Sequence, residues 1–169
     1  MEHAMRRAKQ ELPAEVARDV LDRATSGVLA LVDGDGMPYA VPLSHVRCGN
    51  VVYFHCAREG HKLEALASGS GRASFCVVDQ DEVVPEDFLT LYRSVIAFGT
   101  VRIVTDDGER MAALRALANK FSPGIEEGFQ REVDSDFARV VILALEVERM
   151  TGKEARGLAE ARRKAARLG

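Results

Sequence analysis

"SGVLALVDGDGMPYAVPLSHV", residues 26–46, decides the fold. An apolar run, Val28 to Val32, meets four turn formers, Asp33-Gly34-Asp35-Gly36, and a second run rich in β-formers follows. Two such runs around an Asp-Gly turn read as a β-hairpin. A second turn at Gly49-Asn50 then leads into "VVYFH", 51–55. Parallel strands need a crossover of a dozen or more residues between them, and these connections are too short for that. The first three strands are therefore antiparallel neighbours.

Working outward, Pro13 to Ala24 reads as a helix: Val16, Val20 and Leu21 share a face and Glu15 suits its positive end. A short helix is expected at 61–68 and a strand, "RASFCVV", at 72–78. Residues 79–90 are acidic, contain Pro85 and read as a surface loop. "LYRSVIAFGTVRIV", 91–104, is a long strand in which Gly99 signals a bulge or tight bend. A helix follows at 107–120, then an irregular stretch, "SPGIEEGFQREVDSD". The last strand is 138–150, and a basic helix runs over 153–167. The expectation is one domain over 1–169, mainly β with helices. Its six antiparallel strands form a closed or nearly closed barrel, since closure removes exposed edges.

Composition narrows the function classes. The chain has 169 residues, 29% of them charged, and a net charge of −3. A nucleic-acid partner is disfavoured by the acidic balance. The one basic excess is residues 153–169, with six Lys or Arg against two Glu, and it reads as a solvated helix face. Three cysteines, Cys48, Cys56 and Cys76, with no CxxC pair, speak against both a disulfide framework and a thiolate zinc site. No apolar run reaches transmembrane length, and no signal-peptide pattern opens the chain, so a soluble cytoplasmic protein is expected.

Candidate chemistry concentrates in "YFHCAREGHKLEAL", residues 53–66. His55 and His61 have neither an HExxH helix nor a second thiolate, so a metal would need further ligands such as His45. His55 and Cys56 are adjacent on a strand and point to opposite faces, which denies them a nucleophile–base contact. Cys56 alone reads as a buried filler. Gly60 before His61 and Lys62, at a helix start, reads instead as an anion cradle. The backbone can approach closely there, the first helical amides lack partners, and Lys62 adds charge.

The succession of "GVLALVDGDGMPYAVPLSHV", "VVYFHCAREGHKLEAL", "RASFCVV" and "YRSVIAFGTV" resembles the pyridoxamine 5′-phosphate oxidase-like flavoproteins. These are split β-barrels that bind FMN at a homodimer interface. "MRR" (Met5 to Arg7), "FHCAREGHK" and "MTGK" (Met150 to Lys153) are most similar to the nitroimidazole-resistance branch. The resemblance implies that Val41, Pro42, Leu43 and Ser44 run along the flavin ring. It places His55, Cys56 and Ala57 near the ribityl and phosphate, and Gly60, His61 and Lys62 at the phosphate turn. Ser94 would approach the flavin with Val95 beside it. It further implies reduction of a small oxidised molecule such as a nitro compound, with a nicotinamide, NAD(P)H, as donor. His55 or His45 is the expected proton donor. The apolar strands "SVIAFGTV" and "VVILALEV" likewise suggest a covered dimer face. Two features depart from true pyridoxamine phosphate oxidases. Val41 stands where those have arginine, and Gly60-His61-Lys62 stands where they have Ser-Arg-Lys. Three alternatives stay open: a flavin carrier without turnover, a haem protein using His45 and His55, and a barrel holding the deazaflavin F420.

Overall fold

The computed structural model describes residues 5–168. Strands β1 (Ser26–Val32), β2 (Pro38–Ser44), β3 (Val46–Cys48) and β4 (Val51–Cys56) come first, after helix α1 (Ala14–Arg23). Helix α2 (His61–Ser68) follows, and then β5 (Arg72–Val84) and β6 (Leu89–Ile103). Helices α3 (Asp107–Phe121) and α4 (Glu126–Asp136) precede β7 (Val141–Glu154) and α5 (Arg156–Ala165). All seven strands form one antiparallel sheet in the order β2-β1-β5-β6-β7-β4-β3.

The order explains the shape. β2 and β3 lie at opposite edges of the sheet, yet only His45 separates them in the chain. The sheet must therefore curl until its edges meet at His45, which gives the split-barrel form. Alternate residues point inward: Leu29 and Leu31, Phe54, Phe75 and Val77, Val95 and Ala97, Leu143 and Leu145 are all 0–2% exposed. Val20 and Leu21 of α1 join the same core.

Several expectations change. There are seven strands, not six, because buried His45 breaks the long second strand and frees Val46–Cys48 to pair with β4. Residues 79–90 are not a loop. They are the two arms of a hairpin, Val83 pairing with Thr90 and Val84 with Leu89. Asp81, Glu82, Glu86 and Asp87 face water, and Asp79 at the hairpin's base pairs with Arg23 at 2.6 Å. The stretch read as irregular contains α4. The last strand runs on to Glu154, so the basic helix begins at Arg156 rather than residue 153. That helix is not merely a solvated face. Arg162 bonds buried Glu154 at 2.8 Å, Arg93 approaches the same carboxylate at 3.2 Å, and Arg163 donates to the Lys9 carbonyl at 2.8 Å. The bulge does fall at Gly99, where a Cβ would collide with the Glu146 carbonyl oxygen.

Candidate functional site

Gly60 is the pivot of the candidate site. Its φ of +129° and ψ of 160° lie in a region that essentially only glycine occupies. This turn aims the start of α2 back at the barrel. The Gly60 carbonyl accepts the amides of Leu63 (2.9 Å) and Glu64 (3.3 Å), while the amides of His61 and Lys62 meet no protein acceptor among the described residues. Lys62 Nζ folds back to within 3.8 Å of where a Gly60 Cβ would stand. Two free amides, an open glycine and an ammonium form a set that fits a phosphate. The His61 side chain is engaged elsewhere. Its ring packs on Tyr39 of β2 (centroids 4.2 Å apart, planes at 39°), and its Nε2 lies 3.9 Å from Asp33. An anion in this cradle would thus rest on backbone and Lys62, with His61 fastening α2 to β2.

Along β4 the alternation sorts the other candidates. Phe54 and Cys56 point into the core, and His55 points out, exposed. Burial pushes the Cys56 thiol above its usual range, against the opposing pull of Lys62, so it behaves as core filler rather than nucleophile. On β2 the outward residues are Pro42 and Ser44, and Val41 and Leu43 pack inward. Ala57 is exposed just past β4.

His45 is the clear correction. Expected as a proton donor or a haem ligand, it is instead wholly buried. Its Nε2 lies 2.8 Å from the Leu21 carbonyl oxygen, so Nε2 carries the proton. Its ring meets Phe75 edge-on at 4.7 Å. Burial pushes its pKa down to about 4. It is a neutral corner residue, closed to substrate and to an axial-ligand role. Among the described residues no three His, Cys, Asp or Glu side chains converge on a metal position.

Ser94 and Val95 lie elsewhere. Val95 is wholly buried in the barrel, so it offers a ligand only its backbone. Ser94 sits on the outer face of β6, paired with Val78 and Lys153. Ser44 pairs with Ser26, and the β1–β5 register puts Ser26 level with Val78. Ser44 and Ser94 are therefore three strand spacings apart, roughly 14 Å. His55 is farther still. It pairs with Ile142, and from Ile142 to Lys153 the strand covers eleven residues, at most about 35 Å. Ser44 and His55 share one cleft wall and His61 packs beside β2 at Tyr39, whereas Ser94 lies on a separate part of the face.

Sequence reasoning missed one feature. A cleft of about 710 Å³ lies between α3, α4 and the barrel, with Ser44 and His55 in its wall. The signal was present: Ile125, Phe129, Val133 and Phe137 recur every four residues, a helical stripe lining the cleft.

A curled antiparallel sheet closed at one corner, with a glycine-led helix start beside it, defines a split-barrel protein. The chain belongs to the pyridoxamine 5′-phosphate oxidase family, whose model matches residues 13–154. Among solved structures it is similar to the FAD and haem binding protein from Mycobacterium smegmatis, at 30% identity and TM-score 0.73, over 87% of this chain and 73% of that one. It resembles the flavocytochrome Anf3 from Azotobacter vinelandii at 20% identity and TM-score 0.77, over 90% and 72% of the two chains. A candidate 5-nitroimidazole antibiotic resistance protein from Bacteroides thetaiotaomicron matches at 19% identity and TM-score 0.68, over 85% and 86%. The last two likenesses bear on the fold alone. No curated protein sequence matches the chain. No helix among the described residues is long and apolar enough to cross a membrane.

Proposed function

We propose that the protein is an FMN-binding homodimer that reduces a small oxidised molecule, such as a nitro compound, with a nicotinamide as electron donor. The observation that carries the reading is the Gly60–Lys62 turn, with its two free amides and its ammonium beside β2. The M. smegmatis relative, an FAD and haem binding protein, supports a flavin as the class of ligand. The cradle holds one phosphate group in reach of one lysine, which favours the mononucleotide.

The dimer is supported by the outer face. Pro42, Val28, Cys76 and Ile96 lie in one row across four strands, and Ala40, Ala30, Ser74 and Phe98 lie in the next. Val28 is 41% and Val78 58% exposed there. A contiguous apolar sheet face of this kind marks an interface. A second copy laid on it would bring its own Ser94 toward the first copy's β2 and β4, which a single chain does not do. A site shared between two subunits is part of the same proposal.

When bound, the flavin supplies the two-electron chemistry. The chain's own residues bind and orient. Lys62 and the His61 and Lys62 amides hold the phosphate, Pro42 and Ser44 offer a flat strand to the ring, and the exposed imidazole of His55 donates a proton to the acceptor. Cytoplasmic location is part of the same proposal.

The test is the visible spectrum of the purified protein after FMN loading and desalting, followed by NADH- or NADPH-driven turnover of a nitroaromatic. A retained flavin spectrum with turnover that His55→Ala abolishes while keeping FMN is the expected result. A colourless protein after desalting would overturn the flavoprotein reading.

A further inference from the structure

We infer that the cleft under α3 and α4 binds a neutral, flat molecule of two or three fused aromatic rings that carries a carbonyl or nitro oxygen. Resting on the flavoprotein reading, it assigns this class to the electron acceptor.

Four observations converge. The first is size: about 710 Å³ falls within the range that holds drug-sized ligands, about 300–1,000 Å³. A single-ring nitro compound would leave most of that space to water. The second is lining. Leu114 and Phe121 of α3 face Ile125, Phe129, Val133 and Phe137 from the α4 side. Two of these rings are held in place, Phe129 by Arg115 at 3.7 Å and Phe137 by Arg110 at 4.2 Å. Fixed aromatic walls select flat ligands by stacking.

The third observation is charge. The lining carries one cation, Arg131, against two carboxylates, Glu132 and Asp136. That net negative balance disfavours haem with its two propionates and favours a neutral molecule. The fourth is the polar pair in the wall. Ser44 and His55 are the two barrel residues that face the cleft, and both are candidate flavin contacts. A ligand seated on the apolar side would turn its one polar oxygen toward these donors and so toward the bound ring system.

The inference is tested by equilibrium dialysis of 1-nitronaphthalene and of nitrobenzene against the FMN-treated full chain, with FMN retention read from the absorbance of the same sample. The two probes share a reacting group and differ by one ring. The expected result is roughly tenfold or more tighter binding of the larger probe, from the extra apolar surface it buries. Two variants localise it. Ile125→Glu changes an exposed residue of the lining, so the fold is retained, and it should weaken 1-nitronaphthalene by at least about tenfold. Ala118→Phe narrows the cleft from α3 and should exclude 1-nitronaphthalene while sparing nitrobenzene. Equal affinity for the two probes, or binding indifferent to both variants, overturns the inference. Haemin binding with a Soret band that shifts in His55→Ala would overturn it in favour of a tetrapyrrole. Loss of FMN on desalting with intact selectivity for the larger ring would sink the flavin reading and leave the cleft assignment standing.

Discussion

His45 Nε2 stands 2.8 Å from the carbonyl oxygen of Leu21, and through this bond the corner that closes the sheet is tied to α1. The other ring nitrogen, Nδ1, is buried and meets no hydrogen-bond partner among the described residues. A protonated ring would place an unpaired N–H and a charge in the core. Burial accordingly pushes the pKa down to about 4, against an ordinary value near 6.5. The folded state thus takes up the proton less readily than the unfolded state. The stability this neutral histidine contributes is fully present above pH 6.5 and is lost as pH falls toward 4. The predicted loss between pH 7 and pH 4 is about 3 kcal/mol from this group. Urea unfolding at pH 7, 5.5 and 4.5 should show the midpoint dropping, with a shallower dependence in His45→Gln. An identical dependence in the variant would move the effect to other groups.

Of the ligand's groups, Lys62 is predicted to act on the phosphate alone. Lys62→Ala should weaken FMN by roughly tenfold or more, the scale of one charge-assisted hydrogen bond. Riboflavin, which has the ring and ribityl chain but no phosphate, should bind the variant and the wild type alike. Flavin fluorescence quenching measures both. Parallel losses for the two ligands would detach Lys62 from the phosphate role.

The parts of this molecule that were legible in the sequence share a physical cause. The hairpin at Asp33–Gly36, the bulge at Gly99 and the glycine-led start of α2 each rest on local turn or backbone chemistry. His45 was illegible because its burial comes from the sheet closing on itself, a consequence of strand order that no local window contains. The outer arms of β5 and β6 were hidden because most of their side chains are solvated, so backbone pairing rather than an apolar pattern makes them strands. In α4, Gly128, Asp134 and Ser135 dilute helix propensity, and the four-residue apolar stripe that reveals the helix faces a cleft rather than the core. The separation of Ser94 from the β2 and β4 residues required register, which neither composition nor motif spacing supplies.

Glu154 is buried between Arg93 and Arg162 and links the end of β7 to α5. Asp79 extends the network, reaching Arg93 at 3.5 Å and Arg23 at 2.6 Å. Truncating the shared carboxylate leaves two partly buried guanidinium groups without their common partner. Glu154→Ala should cost about 3–5 kcal/mol, the range for breaking a buried pair from one side. It should also release α5, so trypsin should cut at Arg162 or Arg163 faster in the variant than in wild type. A variant with unchanged unfolding midpoint and unchanged cleavage would show that α5 is held by its apolar contacts, such as Ala159, alone.

The outer face of the sheet carries the last prediction. Val28 pairs with Pro42 on one side and Cys76 on the other, at the centre of the apolar rows, and its side chain points away from the barrel core. In a monomer the half-exposed site leaves the carboxylate in water, and the change costs about 1 kcal/mol of strand preference. It costs several kcal/mol if a second copy covers it, because the carboxylate would be buried without a partner. Val28→Asp should therefore leave the far-ultraviolet spectrum unchanged and shift sedimentation from dimer to monomer. FMN retention should fall with it, since the proposed site draws Ser94 from the second copy. Wild type sedimenting as a monomer with flavin bound would refute the two-subunit site. A monomeric variant that retains FMN as well as wild type would place the whole ligand contact on the β2, β4 and α2 surfaces of one chain.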